Sequence, residues 1–185
     1  MTTATPLAAA LAATLLVAAA WSLGRALAQG PWVARTNHLL AALMGVVLAG
    51  LPLGWTLGPG LLPLGVFTAA ALWFVLQAML HRQPWLAGTG LGVAGGVYRA
   101  AMMAATVWIL AAAPGGASGG SVHELGAILT HLAGSIVLAF AGVGWLLAAF
   151  SASRGDANAA GVPRSRGVHE ALMAVGLALS LFALV

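Results

Sequence analysis

Histidine and methionine side chains near the start of three apolar runs are the groups in this sequence best suited to chemistry. His169 and Met173 are four residues apart, so a helix places them on one face. His38 opens a second run, and Met102 and Met103 open a third. Imidazole and thioether groups suit copper where Cys is absent, so converging helices could form a copper site from these five residues. The alternative is that Met fills gaps between helices and His lies at their ends as an amphipathic ring.

A second candidate site combines His123, Glu124 and His131. Glu124 and His131 are seven residues apart, so a helix places them on one face, about 10 Å apart along its axis. An ionisable residue inside an apolar span is a functional-site hypothesis by default. The alternative is a neutral His131 that is hydrogen-bonded to a neighbouring helix.

The composition shows what kind of molecule must position these groups. Of 185 residues, 62% are apolar and ten are charged, namely seven Arg and three acids, with no Lys and no Cys. A soluble domain has about a quarter of its residues charged, so this chain could not cover its surface with polar groups. We therefore exclude a soluble enzyme, a nucleic-acid binder and a disordered segment. Disulfides, thiolate metal sites and a cysteine nucleophile are excluded as well.

Continuous apolar runs predict the architecture. A helical span needs about 20 mainly apolar residues, and Gly/Pro breakers separate six such runs. We predict an all-α polytopic membrane protein, residues 1–185 forming one domain of six transmembrane helices arranged as three hairpins. The predicted spans are residues 6–28, 38–57, 61–80, 97–113, 125–150 and 168–185.

The environment of Arg99 depends on where the fourth helix begins. A start near residue 86 would place Gly88, Gly92 and Gly96 on one small-residue packing face, with Arg99 deep in the membrane. A start near 97 would leave Arg99 at the interface, with its head group snorkelling, and we favour that alternative. Glu170 occupies the corresponding position on the sixth helix and is a candidate ion-pair partner for Arg99.

The arginines predict the orientation. All seven flank or lie on the first, third and fifth connections, and the N-terminal tail and the other two connections carry none. Basic residues favour the cytoplasmic side of a membrane. We therefore expect a multi-pass protein of the plasma membrane, with cytoplasmic Arg-bearing loops and both termini outward.

Four short motifs occur in order along the chain, namely Asn37–Met44, Ala71–Val75, Tyr98–Trp108 and Glu170–Gly176. With these motifs the chain resembles an actinobacterial family of small membrane proteins catalogued as domain of unknown function 5134. The resemblance covers nearly the whole chain and implies no assigned activity. Family members often carry His and Met at these helix openings and in an outward loop. This chain departs from that pattern at Arg99, where an aromatic residue or His is usual, and in its outward loop, residues 114–123, which lacks Met.

Three functional hypotheses follow, and enzymatic activity is disfavoured because three acids and no Cys leave little acid–base apparatus. The first is a non-enzymatic membrane protein that handles a transition metal, copper, through His/Met sites. The second is an accessory subunit that packs in a larger membrane complex or a homo-oligomer. The third is a b-type haem protein with two axial His ligands, for which His38 and His169 are the candidates. All three place the protein in a lipid bilayer, without nucleic acid.

Overall fold

The computed structural model describes residues 6–28, 31–53, 55, 61–80, 82, 93–112, 125–151 and 164–182. These residues form six helices and contain no strand, which confirms the predicted all-α class. The helices are α1 (Pro6–Ala28), α2 (Trp32–Gly50), α3 (Leu61–Met79), α4 (Val93–Ala112), α5 (Leu125–Ser151) and α6 (Arg164–Phe182).

Consecutive helices pack in pairs, as the hairpin arrangement predicts. Helices α1 and α2 are antiparallel, because Gly45 meets Leu15 and Ala19 whereas Arg35 reaches Ala26. The end of α1 therefore lies beside the start of α2. At Gly45 a Cβ atom would lie 3.0 Å from the Ala19 Cβ, so glycine permits the close approach of the two backbones.

The other two pairs are antiparallel by the same criterion. Gly96 of α4 lies against Ala78 of α3, and Arg99 lies over Phe74 one turn earlier on α3. On the last pair, Gly142 of α5 meets Ala174 of α6. The hydroxyl of Ser135 reaches the Ala178 carbonyl one turn further along α6.

The chain divides into two compact units, residues 1–121 with α1–α4 and residues 122–185 with α5 and α6. Within the first unit, α2 and α4 contact each other and have the largest buried share, whereas α1 and α3 are mostly exposed. The inner helices of this unit therefore carry His38, Met102 and Met103. The single domain over residues 1–185 stays a prediction.

Four of the six described helices have the length and apolarity of membrane spans. Four qualify in full, Ala8–Ala28 of α1, Trp32–Gly50, Leu61–Met79 and Val93–Ala112. Within α5 and α6 the described apolar stretches are shorter, Ile128–Gly144 and Gly167–Ser180. Large apolar side chains cover the exposed faces, as expected where helices meet lipid tails rather than water.

Helix α2 begins six residues before its predicted start and ends seven before its predicted end, 38–57. Pro31 has an extended backbone, and its carbonyl accepts the first helical hydrogen bond from the Arg35 N–H at 3.1 Å. At the other end, Pro52 cannot donate to the helix. The chain then turns so that the Trp55 N–H donates to the Gly50 carbonyl at 2.9 Å. Hydropathy alone missed both ends, since it ignored Pro52 and excluded the polar residues Arg35, Thr36 and Asn37.

Helices α4 and α6 also begin earlier than predicted, at Val93 rather than 97 and at Arg164 rather than 168. The alternative start near 86 falls among residues 83–92, which lie outside the described residues. Both helices open with polar or small residues that a search for apolar runs passes over. The observed start makes Arg99 the seventh residue of α4.

Candidate functional site

Two amide side chains form the centre of a buried polar cluster in the first unit. Asn37 Nδ2 donates to Gln77 Oε1 at 2.9 Å, and Gln77 Nε2 donates back to Asn37 Oδ1 at 2.8 Å. Each residue is only 2% exposed. The exchange joins α2 to α3 and satisfies polar groups that would be costly to leave unpaired in an apolar environment. We call this pair the amide clasp.

Aromatic rings complete the clasp. Trp73 Nε1 donates to Asn37 Oδ1 at 3.0 Å, so this oxygen accepts two hydrogen bonds. Trp73 and Gln77 are four residues apart and therefore share one face of α3. The Trp32 ring lies 5.8 Å from the Trp73 ring, centroid to centroid, at an interplanar angle of 44°, within the range of favourable aromatic pairs.

The clasp fixes which helix ends lie together in the first unit. Asn37 is near the start of α2 and Gln77 is near the end of α3. The connection between α1 and α2 and the connection between α3 and α4 therefore lie at the same end of the unit. Arg25, Arg35 and Arg82 belong to this end, which we call the arginine end.

Arg99 is 5% exposed, and its guanidinium carbon lies 5.8 Å from the centroid of the Phe74 ring. This geometry is a cation–π contact. The backbone can come so close because Gly96, one turn before Arg99, packs directly on Ala78. Arg99 is therefore buried beside α3, whereas we expected its head group to snorkel at the interface.

Of the predicted metal ligands in the first unit, His38 lies towards the arginine end, whereas Met102 and Met103 lie at the middle of α4. His38 is half-buried and follows Asn37 directly on α2, and Met102 and Met103 are buried on α4. Tyr98 on α4 lies at the depth of His38, since Asn37 pairs with Gln77 and the adjoining Ala78 meets Gly96.

The remaining ligand candidates lie on α6 in the second unit. His169 is 7% exposed and Met173 is 0% exposed, and the spacing of four places both on one buried face. Glu170, the neighbour of His169, is buried as well. The full set of His38, Met102, Met103, His169 and Met173 draws on both units and stays a prediction. The same holds for the ion pair between Arg99 and Glu170.

His131 is buried on α5 at the end of the second unit opposite to His169. The Ser135 hydroxyl lies one turn further along, within hydrogen-bond distance of the His131 carbonyl (2.9 Å) and the Ala178 carbonyl (3.1 Å). Both His131 and His169 lie near the start of their helix, and α5 and α6 are antiparallel. The two residues are therefore about 20 Å apart along the helix axes. The other members of the second candidate site, His123 and Glu124, lie outside the described residues.

In the described part of the chain, no three His, Cys, Asp or Glu side chains come together in a way that could hold a metal ion.

Sequence reasoning missed Gln77 and used Asn37 only as part of a motif. The predicted second span began at His38 and so left Asn37 in a connection. A polar amide within an otherwise apolar run was the available signal, because such groups commonly hydrogen-bond across membrane helices. The four-residue spacing of Trp73 and Gln77 was a second signal.

The fold and its buried polar residues define a small helical membrane protein. A family model described as Domain of unknown function (DUF5134) matches residues 33–184, so the chain belongs to that family. This match confirms the resemblance carried by the four motifs. Neither the curated proteins nor the solved structures gave a match to this chain.

Proposed function

We propose that this protein is a non-enzymatic integral membrane protein that binds Cu(I) through His169 and Met173. The observation that carries the proposal is the burial of both side chains on one face of α6. An imidazole and a thioether one helical turn apart provide two ligands of the softness that Cu(I) prefers. Burial removes competing water from both ligands.

His38 and one of Met102 or Met103 would complete the site from helices α2 and α4. All three belong to helices of the first unit whose inner faces are buried, with His38 in the first half of α2 and the two methionines at the middle of α4. Cu(I) is favoured over Mg²⁺ and Ca²⁺, because the latter ions require several oxygen ligands. The chain has three acidic residues in total.

Charge near the proposed site is the main electrostatic constraint. A buried guanidinium close to a cationic metal is unfavourable, and Arg99 is buried on the same helix as Met102 and Met103. We propose that Glu170, buried beside His169, neutralises Arg99 as its ion-pair partner. Replacement of Glu170 by Gln should then weaken Cu(I) binding, although Glu170 is not itself a proposed ligand.

The second candidate function is an accessory subunit without chemistry of its own. Along α5, large apolar side chains are exposed over several turns: Leu129, Leu132, Ile136, Val137, Phe140, Val143 and Leu147. A second membrane chain could pack on this flank as well as lipid tails could. On this alternative the methionines serve as gap-filling core residues.

The orientation proposed with this function places the protein in the plasma membrane, with the arginine end in the cytoplasm and both termini outward. The positive-inside rule supports this orientation. The proposed ligands His38 and His169 would then lie towards the cytoplasmic ends of α2 and α6.

A Cu(I) titration of the detergent-purified protein against a chromophoric Cu(I) chelator tests the proposal. The wild type should withdraw Cu(I) from the chelator, and His169→Ala should reduce the apparent affinity at least about tenfold, as loss of a direct ligand would. No withdrawal of Cu(I) by the wild type would favour the accessory subunit. A haem absorption band in the protein as purified would instead favour the b-type haem alternative with His38 and His169.

A further inference from the structure

Charge is divided very unevenly between the two units. Residues 1–121 contain Arg25, Arg35, Arg82 and Arg99 and no acidic residue, so the first unit carries the whole net charge of +4. The second unit has three arginines and three acids. The first unit therefore has an excess of positive charge that no carboxylate of its own can neutralise.

Three of these four arginines are exposed and belong to the arginine end. Arg25 is in the last turn of α1, Arg35 is in the first turn of α2, and Arg82 follows the end of α3. The amide clasp brings the start of α2 beside the end of α3. The three exposed guanidinium groups therefore lie at one end of the unit, and we refer to them together as its basic edge.

One of these guanidinium groups is held in position by the fold. Arg35 Nε donates to the Ala26 carbonyl at 3.3 Å, and that carbonyl lies in the last turn of α1, where it has no partner within the helix. The bond uses Nε and not the two terminal nitrogens, which form a planar fork. Ala26 directly follows Arg25 in the last turn of α1, so Arg25 and Arg35 belong to the same end of this helix pair.

Exposed indole rings lie at the same end. Trp21 lies one turn before Arg25 on α1, and Trp32 is the first residue of α2. Both side chains are about half exposed. Tryptophan favours the head-group layer of a bilayer, where one side of the ring is apolar and the other is hydrated. The edge formed by Arg25, Arg35 and Arg82 therefore belongs at the level of lipid phosphates.

We propose that this edge binds the phosphate groups of anionic phospholipids. Arginine suits this role because its planar fork forms paired hydrogen bonds to phosphate oxygens, whereas an ammonium acts as a point charge. The chain has no Lys at all. Anionic lipids attract basic residues next to a membrane, and here the fold adds a pre-positioned fork on Arg35. This proposal is independent of copper binding.

Counting the lipids retained by the full-length protein tests the proposal. The protein would be reconstituted in bilayers of equal phosphatidylcholine and phosphatidylglycerol, extracted in detergent, and its bound lipids counted by native mass spectrometry. The wild type should retain phosphatidylglycerol preferentially. The triple variant Arg25→Gln, Arg35→Gln and Arg82→Gln should lose that preference, on the order of fivefold for each arginine removed.

A matched control removes the same charge from the other unit through Arg154→Gln, Arg164→Gln and Arg166→Gln. This variant should keep the lipid preference, and equal loss in both triple variants would overturn the proposal in favour of a general charge effect. Arg35→Lys keeps the charge without the fork and should lose part of the preference. Circular dichroism should show unchanged helix content in the variant that lacks Arg25, Arg35 and Arg82, because these three side chains are exposed.

Two other outcomes would also overturn the proposal. The first is equal retention of the two lipids by the wild type. The second is displacement of phosphatidylglycerol by inorganic phosphate but not by chloride at equal ionic strength, which would identify a free-anion site rather than a lipid site.

Discussion

Asn37 and Gln77 exchange two hydrogen bonds, of 2.9 and 2.8 Å, between helices α2 and α3. The exchange joins two helices that belong to different hairpins. It therefore fixes how the first hairpin lies against the second, and it brings Arg25, Arg35 and Arg82 to one end of the unit. A reciprocal amide pair is a directional contact, in contrast to the apolar contacts that surround it.

Asn37→Leu should destabilise the protein by about 1–2 kcal/mol, because it leaves the Gln77 amide buried without its partner. Gln77→Leu should have a similar effect. The double variant should cost less than the sum of the two, since replacing both partners leaves no unpaired amide. Thermal unfolding in detergent measures all three. Thr36→Ala is the control, because the Thr36 hydroxyl bonds within its own helix. Additive effects of the two clasp variants would contradict this coupling.

Gly96→Ala should destabilise the contact between α3 and α4. An added Cβ would lie 2.9 Å from the Ala78 Cβ and 3.1 Å from the Ala78 Cα, so the backbones must separate, at a cost of about 1–3 kcal/mol. Gly65→Ala on α3 is the matched control, since nothing lies within 4 Å of its added Cβ. The control should be neutral or stabilising by up to about 1 kcal/mol through helix propensity. If Gly96→Ala and Gly65→Ala lowered the unfolding midpoint alike, the predicted packing would be contradicted.

Ser135→Ala should destabilise the second unit by about 0.5–1 kcal/mol, because the hydroxyl reaches the Ala178 carbonyl of the facing helix. Ser180→Ala is the comparison, since Ser180 is similarly buried but bonds the Gly176 carbonyl of its own helix. Thermal unfolding of the two variants should rank Ser135→Ala as the less stable. The reverse order would show that the contact between α5 and α6 does not depend on this hydroxyl.

The sequence predicted the class, the number of helices and their pairing because apolar runs and Gly/Pro breakers are local signals. It placed the start of α2 too late because Trp32–Asn37 is mixed in polarity yet continues the helix from Pro31. The amide clasp could not be predicted in the same way. It depends on which side chains of two helices, 40 residues apart along the chain, come to face each other.

Arg99 illustrates a second kind of limit. The free-energy cost of a buried Arg99 depends on the depth of its charge in the membrane and on the side chains around it. The sequence near residue 99 specifies neither. The ring of Phe74 and the close approach at Gly96 provide the burial, and both come from the packing of α4 on α3. The ligand role of Met173 is likewise not decided by sequence, since a buried methionine on a helix face is equally consistent with packing.

Reporter fusions at the C-terminus test the proposed orientation. In the proposed orientation Arg25, Arg35 and Arg82 lie in the cytoplasm, and six spans would then bring the C-terminus outward. A reporter active only outside the cytoplasm should be active there, and the same reporter fused after α5 should be inactive. Activity of a cytoplasm-only reporter at the C-terminus would contradict the orientation or the count of spans.

The proposed function depends on whether the protein holds copper through His169 and Met173. The most direct measurement is copper per protein by elemental analysis, after purification under reducing conditions with Cu(I). The wild type, His169→Ala, Met173→Leu and Met44→Leu would be treated in parallel. Met44 is the matched control because, like Met173, it is 0% exposed but is not a proposed ligand.

We predict about one copper ion per wild-type chain, as expected for a single site. His169→Ala should contain almost none, Met173→Leu should contain less than the wild type, and Met44→Leu should match the wild type. Absence of copper from the wild type, or equal copper in the wild type and His169→Ala, would contradict the proposed function.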